Sequence, residues 1–290
     1  MRFSKKTIAL ALCIVMCMSM TALGTVAYLT ARDTVTNTFT IGNIGITVDE
    51  TKVSENGDPI VFVDLNKDGD FNDEGEDEGK LNSEYMDEYE GYIQPIRDKA
   101  NEYKLIPGKV YLKDPTMFVH AGSESAYLRM LVTIHKINEI AEILNTSDYM
   151  EIFNSLVLGF NSENWYLHHV HPQGEDEDFA TYEFRYQDAE GNEIAYAPED
   201  KDLELPLFTD IQIPTGLTAE FIEENSMKDF AITIEGHAIQ SAVFEDNEDQ
   251  EAAADAAWAA FDVQYSQNSN SGNKKPLEED PTAKFPAGNL

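Results

Sequence analysis

The sequence predicts a mainly β protein, a sandwich of antiparallel strands with helices inserted, and three observations carry that reading. Short runs rich in Thr, Val, Ile, Phe and Tyr alternate apolar with polar residues between Gly, Pro and Asn turn signals. Only two stretches, about 134–158 and about 249–261, change to a helical period. The regular strand and helix alternation of a doubly wound α/β fold is missing. With 42% hydrophobic and 10% aromatic residues in 290, the chain can bury a substantial core despite its charge, as one domain spanning 28–265.

The N-terminus reads as an export signal. Arg2, Lys5 and Lys6 precede an apolar run over 7–23 and the small residues 24–27 (GTVA), the pattern of a secretory signal peptide over 1–27 cleaved between Ala27 and Tyr28. The competing reading is an uncleaved anchor, for which the run is a little short. Cys13 and Cys17 both lie inside this segment. The mature chain is therefore expected to have neither disulfides nor thiolate chemistry. Residues 34–49 (TVTNTFTIGNIGITVD) alternate as a strand at the start of the mature protein, and 59–63 form a second strand that runs into an acidic loop over 64–78. Residues 81–103, with Tyr85, Tyr89, Tyr92 and Tyr103, read as helical or irregular.

Strands follow at 109–113, 116–120 and 126–135. Ile134, Ile137, Ile140, Ala141 and Leu144 then share one helical face, and after the polar break 145–148 Ile152, Phe153, Leu156 and Val157 form a second. Strands resume at 165–171 and 181–187, joined by the acidic loop 172–178, and again at 207–213 and 230–243. Residues 251–261 (EAAADAAWAAF) read as a helix with Ala254, Trp258 and Phe261 along one face. The end, 266–290, is rich in Asn, Ser, Pro and charge and reads as a disordered tail without a C-terminal anchor.

Charge narrows the function. The chain has 54 acidic and 20 basic residues, net −34; removing the three basic residues of the signal leaves −37. That field repels phosphate backbones, which excludes nucleic-acid partners, and it attracts divalent cations. The sharpest motif is Asp64, Asn66, Asp68, Asp70 and Asn72 at alternate positions, with Gly69 at the sixth. This is the spacing of an EF-hand-type calcium loop, in which a chain wrapping the ion presents alternate oxygens to it. The twelfth position, where a bidentate Glu belongs, holds Gly75, flanked by Glu74 and Glu76, and Glu74 is taken as the closing ligand. The alternative is a solvated acidic loop, since 64–78 holds eight acids and one base. His169 and His171 would share one strand face, with His168 on the other, which suits zinc or copper or else a plain edge strand. No H-E-x-x-H, G-x-S-x-G or glycine-rich phosphate loop occurs. His120, His135 and His237 sit in apolar strand contexts, and no catalytic set emerges.

Several segments together resemble the secreted TasA/camelysin (CalY) proteins of Gram-positive bacteria, which a dedicated signal peptidase of the SipW kind processes. They are 24–33 (GTVAYLTARD), 38–48 (TFTIGNIGITV), 103–108 (YKLIPG), 113–116 (KDPT), 122–130 (GSESAYLRM), 207–214 (LFTDIQIP) and 232–240 (ITIEGHAIQ). The resemblance implies a jelly-roll-like sandwich with a structural, non-enzymatic role at the cell surface or in a biofilm matrix. It also implies head-to-tail homopolymers, made by donating the mature N-terminal segment 28–48 to the next copy, with an accessory matrix protein as a further partner. That segment could equally be the first strand of its own sheet. Camelysin's description as a metalloprotease makes a cell-surface peptidase one alternative, which the missing H-E-x-x-H argues against; a monomeric calcium-binding surface protein is the other.

Overall fold

The computed structural model describes residues 30–33, 39–40, 44–172, 178–194, 196–198, 200–225, 227, 230–241, 244 and 250–268. The expected signal peptide and its cleavage point at Ala27 and Tyr28, most of the loop 172–178, and 269–290 lie outside them. The chain is mainly β, 36% strand against 20% helix, and every described ladder is antiparallel. In chain order the elements are β1 (Thr30–Asp33), β2 (Phe39–Thr40), β3 (Ile46–Thr51), β4 (Ile60–Val63), β5 (Lys80–Leu81), α1 (Asn82–Tyr85), β6 (Ile93–Pro95) and β7 (Arg97–Asp98). Next come β8 (Val110–Leu112), β9 (Thr116–Val119), β10 (Ala126–His135), α2 (Ile137–Leu144), α3 (Tyr149–Leu156) and β11 (Val157–Leu158). The last are β12 (Trp165–Pro172), β13 (Phe179–Tyr186), β14 (Leu203–Pro206), β15 (Asp210–Gln212), α4 (Ala219–Glu224), β16 (Ile232–Gln240) and α5 (Gln250–Asn268).

One sheet has six strands in the order β12-β13-β10-β16-β1-β2. Its inner face is apolar at every second residue: Ala126, Leu128, Met130, Val132 and Ile134 of β10, and Ala180, Tyr182 and Phe184 of β13, are all fully or almost fully buried. Facing it are two shorter sheets, β14-β9-β3-β7 and β11-β15-β8. These two are one pair of strands bent at a corner. Pro206 pairs with Thr116, and four residues on along each strand Asp210 pairs with Leu112. The Lys113 N–H donates to Thr209 O at 3.0 Å and the Leu207 N–H to Pro115 O at 2.9 Å across the gap. The expected strand 207–213 accordingly narrows to Asp210–Gln212, because 207–209 turn the corner. A small sheet, β5-β4-β6, carries the acidic loop at one end.

The helical stretch 134–158 narrows to α2 and α3, because Ile134 belongs to β10 and Val157 to β11, and it places Ile137, Ile140, Ile152, Phe153 and Leu156 in the core. The polar break between them supplies both caps. Asn145 takes a left-handed conformation (φ 53°) that ends α2, and the Asp148 carboxylate accepts from the Met150 and Glu151 N–H groups to start α3. Asp178 serves the other end of α2, accepting from the Asn138 N–H at 3.0 Å and pairing with Lys136 at 3.3 Å.

Four expectations change. The segment 28–48 is divided between two sheets: β1 and β2 sit at the edge of the six-stranded sheet, whereas β3 pairs with β9 on the opposite side, with Ile46 wholly buried. Residues 266–268 belong to α5, which runs past the expected end at 261. Residues 81–103 form three short strands and one helical turn. β14 and α4 are additional elements; each is short, so neither has a period to read.

Candidate functional site

The acidic loop leaves β4 and wraps on its own oxygens. Asp64 is 1% exposed. Its carboxylate accepts from the backbone N–H of Lys67 (2.6 Å), Asp68 (3.2 Å) and Gly69 (2.9 Å). The ladder continues with Asn66 Oδ1 accepting from Asp68 N–H, Asp68 Oδ1 from Asp70 N–H, and Asp70 Oδ1 from Asn72 N–H. Such a string of side-chain-to-backbone turns is the local conformation that Asp and Asn at alternate positions favour. Gly69 makes the sharp turn at φ 97°.

The loop is closed by Glu76, with Glu74 left exposed. Glu76 is 1% exposed and accepts from the N–H of Leu65 (2.7 Å), Asn66 (3.2 Å) and Asp73 (3.2 Å). Gly75, at φ 86°, turns the chain so that the thirteenth residue and not the eleventh points inward. Lys67 pins the outside of the loop: its Nζ donates to Glu88 O at 3.1 Å and lies 4.9 and 5.3 Å from the Tyr89 and Tyr92 ring centroids. Asp73 registers the self-repulsion. Loss of hydration, then the fields of Glu76, Asp68 and Asp70, hold its carboxyl above the ordinary value. Among the described residues, no group of three His, Cys, Asp or Glu side chains is drawn together tightly enough to count as a metal cluster.

A second feature is the edge of the six-stranded sheet. β1 pairs with β16 over four residues, Thr30 opposite Ile239 through Asp33 opposite Gly236, and among the described residues β2 pairs with β1 alone. β16 pairs over its full nine residues with β10 on its other side.

The outer face of the same sheet carries a buried ionic layer beneath α5. Arg129, 1% exposed, donates from Nε to His237 Nδ1 at 3.0 Å, pairs with Asp262 of α5, and lies 4.5 Å from the Trp258 ring. Arg185 donates to Glu183 at 2.8 Å, to Asp255 of α5 at 2.7 Å and to Glu193 at 3.4 Å. Trp258 Nε1 and Tyr166 OH both donate to Glu193, at 3.0 and 2.6 Å. Burial pushes the Glu183 carboxyl up, but Arg129, His171 and Arg185 outweigh it and hold that group well below its usual range. At Glu193 the same burial wins over Arg185 and the hydrogen bonds from Tyr166 and Trp258, and its carboxyl is raised. The sequence signal for this layer was the charged side chains on β10 and β13; what it lacked was the partner.

The remaining histidines fall into place around these elements. A bulge at His168 leaves His169 and His171 on one face, ring centroids 4.5 Å apart, and His171 Nε2 lies 3.1 Å from Glu183 Oε2. His120 links Asp202 and Thr47, each at 2.9 Å, in the hydrogen-bond order of a hydrolytic triad. Both His120 and Asp202 lie on an exposed strand end. The neighbouring N–H groups of His120, Ala121 and Gly122 are committed to Gly45 O, Asp202 and Pro198 O, so they offer an oxyanion no donors. No family model, curated protein or solved structure matches the chain.

Proposed function

We propose that this protein is an exported, non-enzymatic structural protein of the bacterial cell surface or biofilm matrix. It assembles head to tail by passing its N-terminal strand to the next copy. The observation that supports this best is the attachment of β1: it is the first described strand after the expected cleavage point, sits outside the β10–β16 pair, and is held by only four residue pairs. A segment attached to one edge in this way can exchange for the same segment of a neighbour with no change in pairing, and a head-to-tail exchange that does not close makes fibres. The division of 28–48 between two sheets narrows the donor to the part before Ile44, because β3 is integral to the body. The six-stranded sheet against the bent sheet is read as a jelly-roll-like sandwich.

The acidic loop is read as a calcium site that tunes assembly. Asp64, Asn66, Asp68, Asp70 and Asn72 supply the alternate oxygens, with Glu76 in place of Glu74 as the closing carboxylate. A cation there relieves repulsion within the loop and between mature copies, each of net charge −37 (−34 less the three basic residues of the signal). Maturation is assigned to a SipW-type peptidase, with an accessory matrix protein as a further partner. Electron microscopy of the purified mature chain beginning at Tyr28, with and without millimolar calcium, tests the reading. Fibres are the expected result, and a persistent monodisperse monomer in both conditions overturns it.

A further inference from the structure

We propose that α5 is the outer wall of the acceptor site: Trp258 and Phe261 hold the edge of β16 in the form that receives the N-terminal strand of a second copy. The inference rests on the strand-donation reading above.

β16 is bounded on four sides. β10 occupies one edge and β1 the other, while Val48 and Met117 lie beneath Gly236 on the inner face. The outer side belongs to α5. Of the four residues that pair with β1, His237 and Ile239 project to that outer side and are 1% and 0% exposed. The His237 ring centroid is 4.7 Å from that of Phe261, and Ile239 belongs to the same small apolar cluster as Trp258 and Phe261. Register positions 30 and 32, opposite Ile239 and His237, therefore fall on the α5 side of the incoming strand, and positions 31 and 33 on the inner side. A bare strand edge offers only backbone N–H and C=O groups, and the walls beside it decide which strand it accepts.

The wall is fixed in place by its ion pairs. Arg129 ties β10, β16 and α5 together through His237 and Asp262, and Arg185 ties β13 to α5 through Asp255. Buried pairs of this kind contribute little net stability, yet sliding the helix by one turn of about 5.4 Å would take Asp262 from Arg129 and Asp255 from Arg185, leaving the two guanidinium groups to share Glu183 and Glu193. The helix therefore has one seat, and the β16 edge one shape.

The test uses the full mature chain carrying Trp258→Ala, labelled and mixed with wild type. This variant keeps its own N-terminal strand and can donate, but it cannot receive, so it caps a growing fibre. At about one part in ten, fibres should shorten to roughly ten subunits with the label at their ends. Label spread along fibres of unchanged length overturns the inference. So does exclusion of a variant that still unfolds cooperatively, because its donor half would then have failed as well. Phe261→Leu, which keeps an apolar side chain, carries the same test should Trp258→Ala not fold; shortening supports the inference and unchanged length overturns it. Absence of fibres from wild type alone overturns the strand-donation reading, and this inference with it.

Discussion

Gly236 and Val48 meet across the interior with no room for a Cβ between them. A methyl group added at Gly236 would collide with Val48 Cγ2 and come within 2.9 Å of Met117 Cε. The two sheets close to this distance because β16 has a glycine there. Gly236→Val should destabilise the fold by about 1–3 kcal/mol, the usual cost of overpacking. The midpoint of urea unfolding measures it; an unchanged midpoint would mean that the sheets part at no cost.

The ionic layer under α5 should make stability pH-dependent in a definite direction. The Glu183 carboxyl is held below its unfolded value, so its contribution is present at neutral pH and is lost as pH falls through the folded pKa. Glu183→Ala removes one partner of a buried pair and should cost about 3–5 kcal/mol near neutrality, with the gap to wild type narrowing in acid. Glu193 works the other way. Its raised carboxyl opposes folding at neutral pH relative to acid, so Glu193→Gln should lose less on going to neutral pH than Glu183→Ala does. Urea unfolding at neutral and acidic pH reads both.

Calcium should raise the thermal midpoint of wild type, by about 2.7 kcal/mol of stabilisation when the ion is at a hundred times its dissociation constant. Asp64→Ala with Asp68→Ala should abolish that rise, and Glu76→Gln should weaken it more than Glu74→Gln does. Equal effects of the two Glu changes would show that Glu76 is not the closing ligand. Sodium at equal ionic strength is the control for screening.

Deleting residues 28–40 should abolish fibres while leaving a cooperatively folded monomer, since β1 joins β16 through four residue pairs at the edge of the sheet. Light scattering and circular dichroism of the same sample separate the two effects. Loss of the fold together with loss of fibres would make β1 an integral strand rather than a transferable one.

How much of this was legible in the sequence depended on the distance between partners. β10 matches its expected bounds, 126–135, because ten residues rich in apolar and aromatic side chains run there without a Gly, Pro or Asn. The caps between α2 and α3 were visible as a polar break. By contrast, Arg129 and Asp262 are 133 residues apart, and nothing local says that an alanine-rich helix will cover a charged strand face. In the acidic loop the ligand spacing was plain, but the choice of Glu76 over Glu74 turns on the positive φ of Gly75, which spacing alone does not reveal.

The corner between β8 and β9 has a consequence for misfolding. One pair of strands runs through both shorter sheets and keeps a single register through the bend. A slip of one residue in either half would turn Met117 and Leu205 out of the core, and it would have to be repeated at Tyr111 and Ile211 beyond the corner. Slippage is thus penalised twice over, in two different parts of the core. With both of its cysteines, Cys13 and Cys17, before the first described strand, the chain has in this bend a proofreading device made of backbone alone.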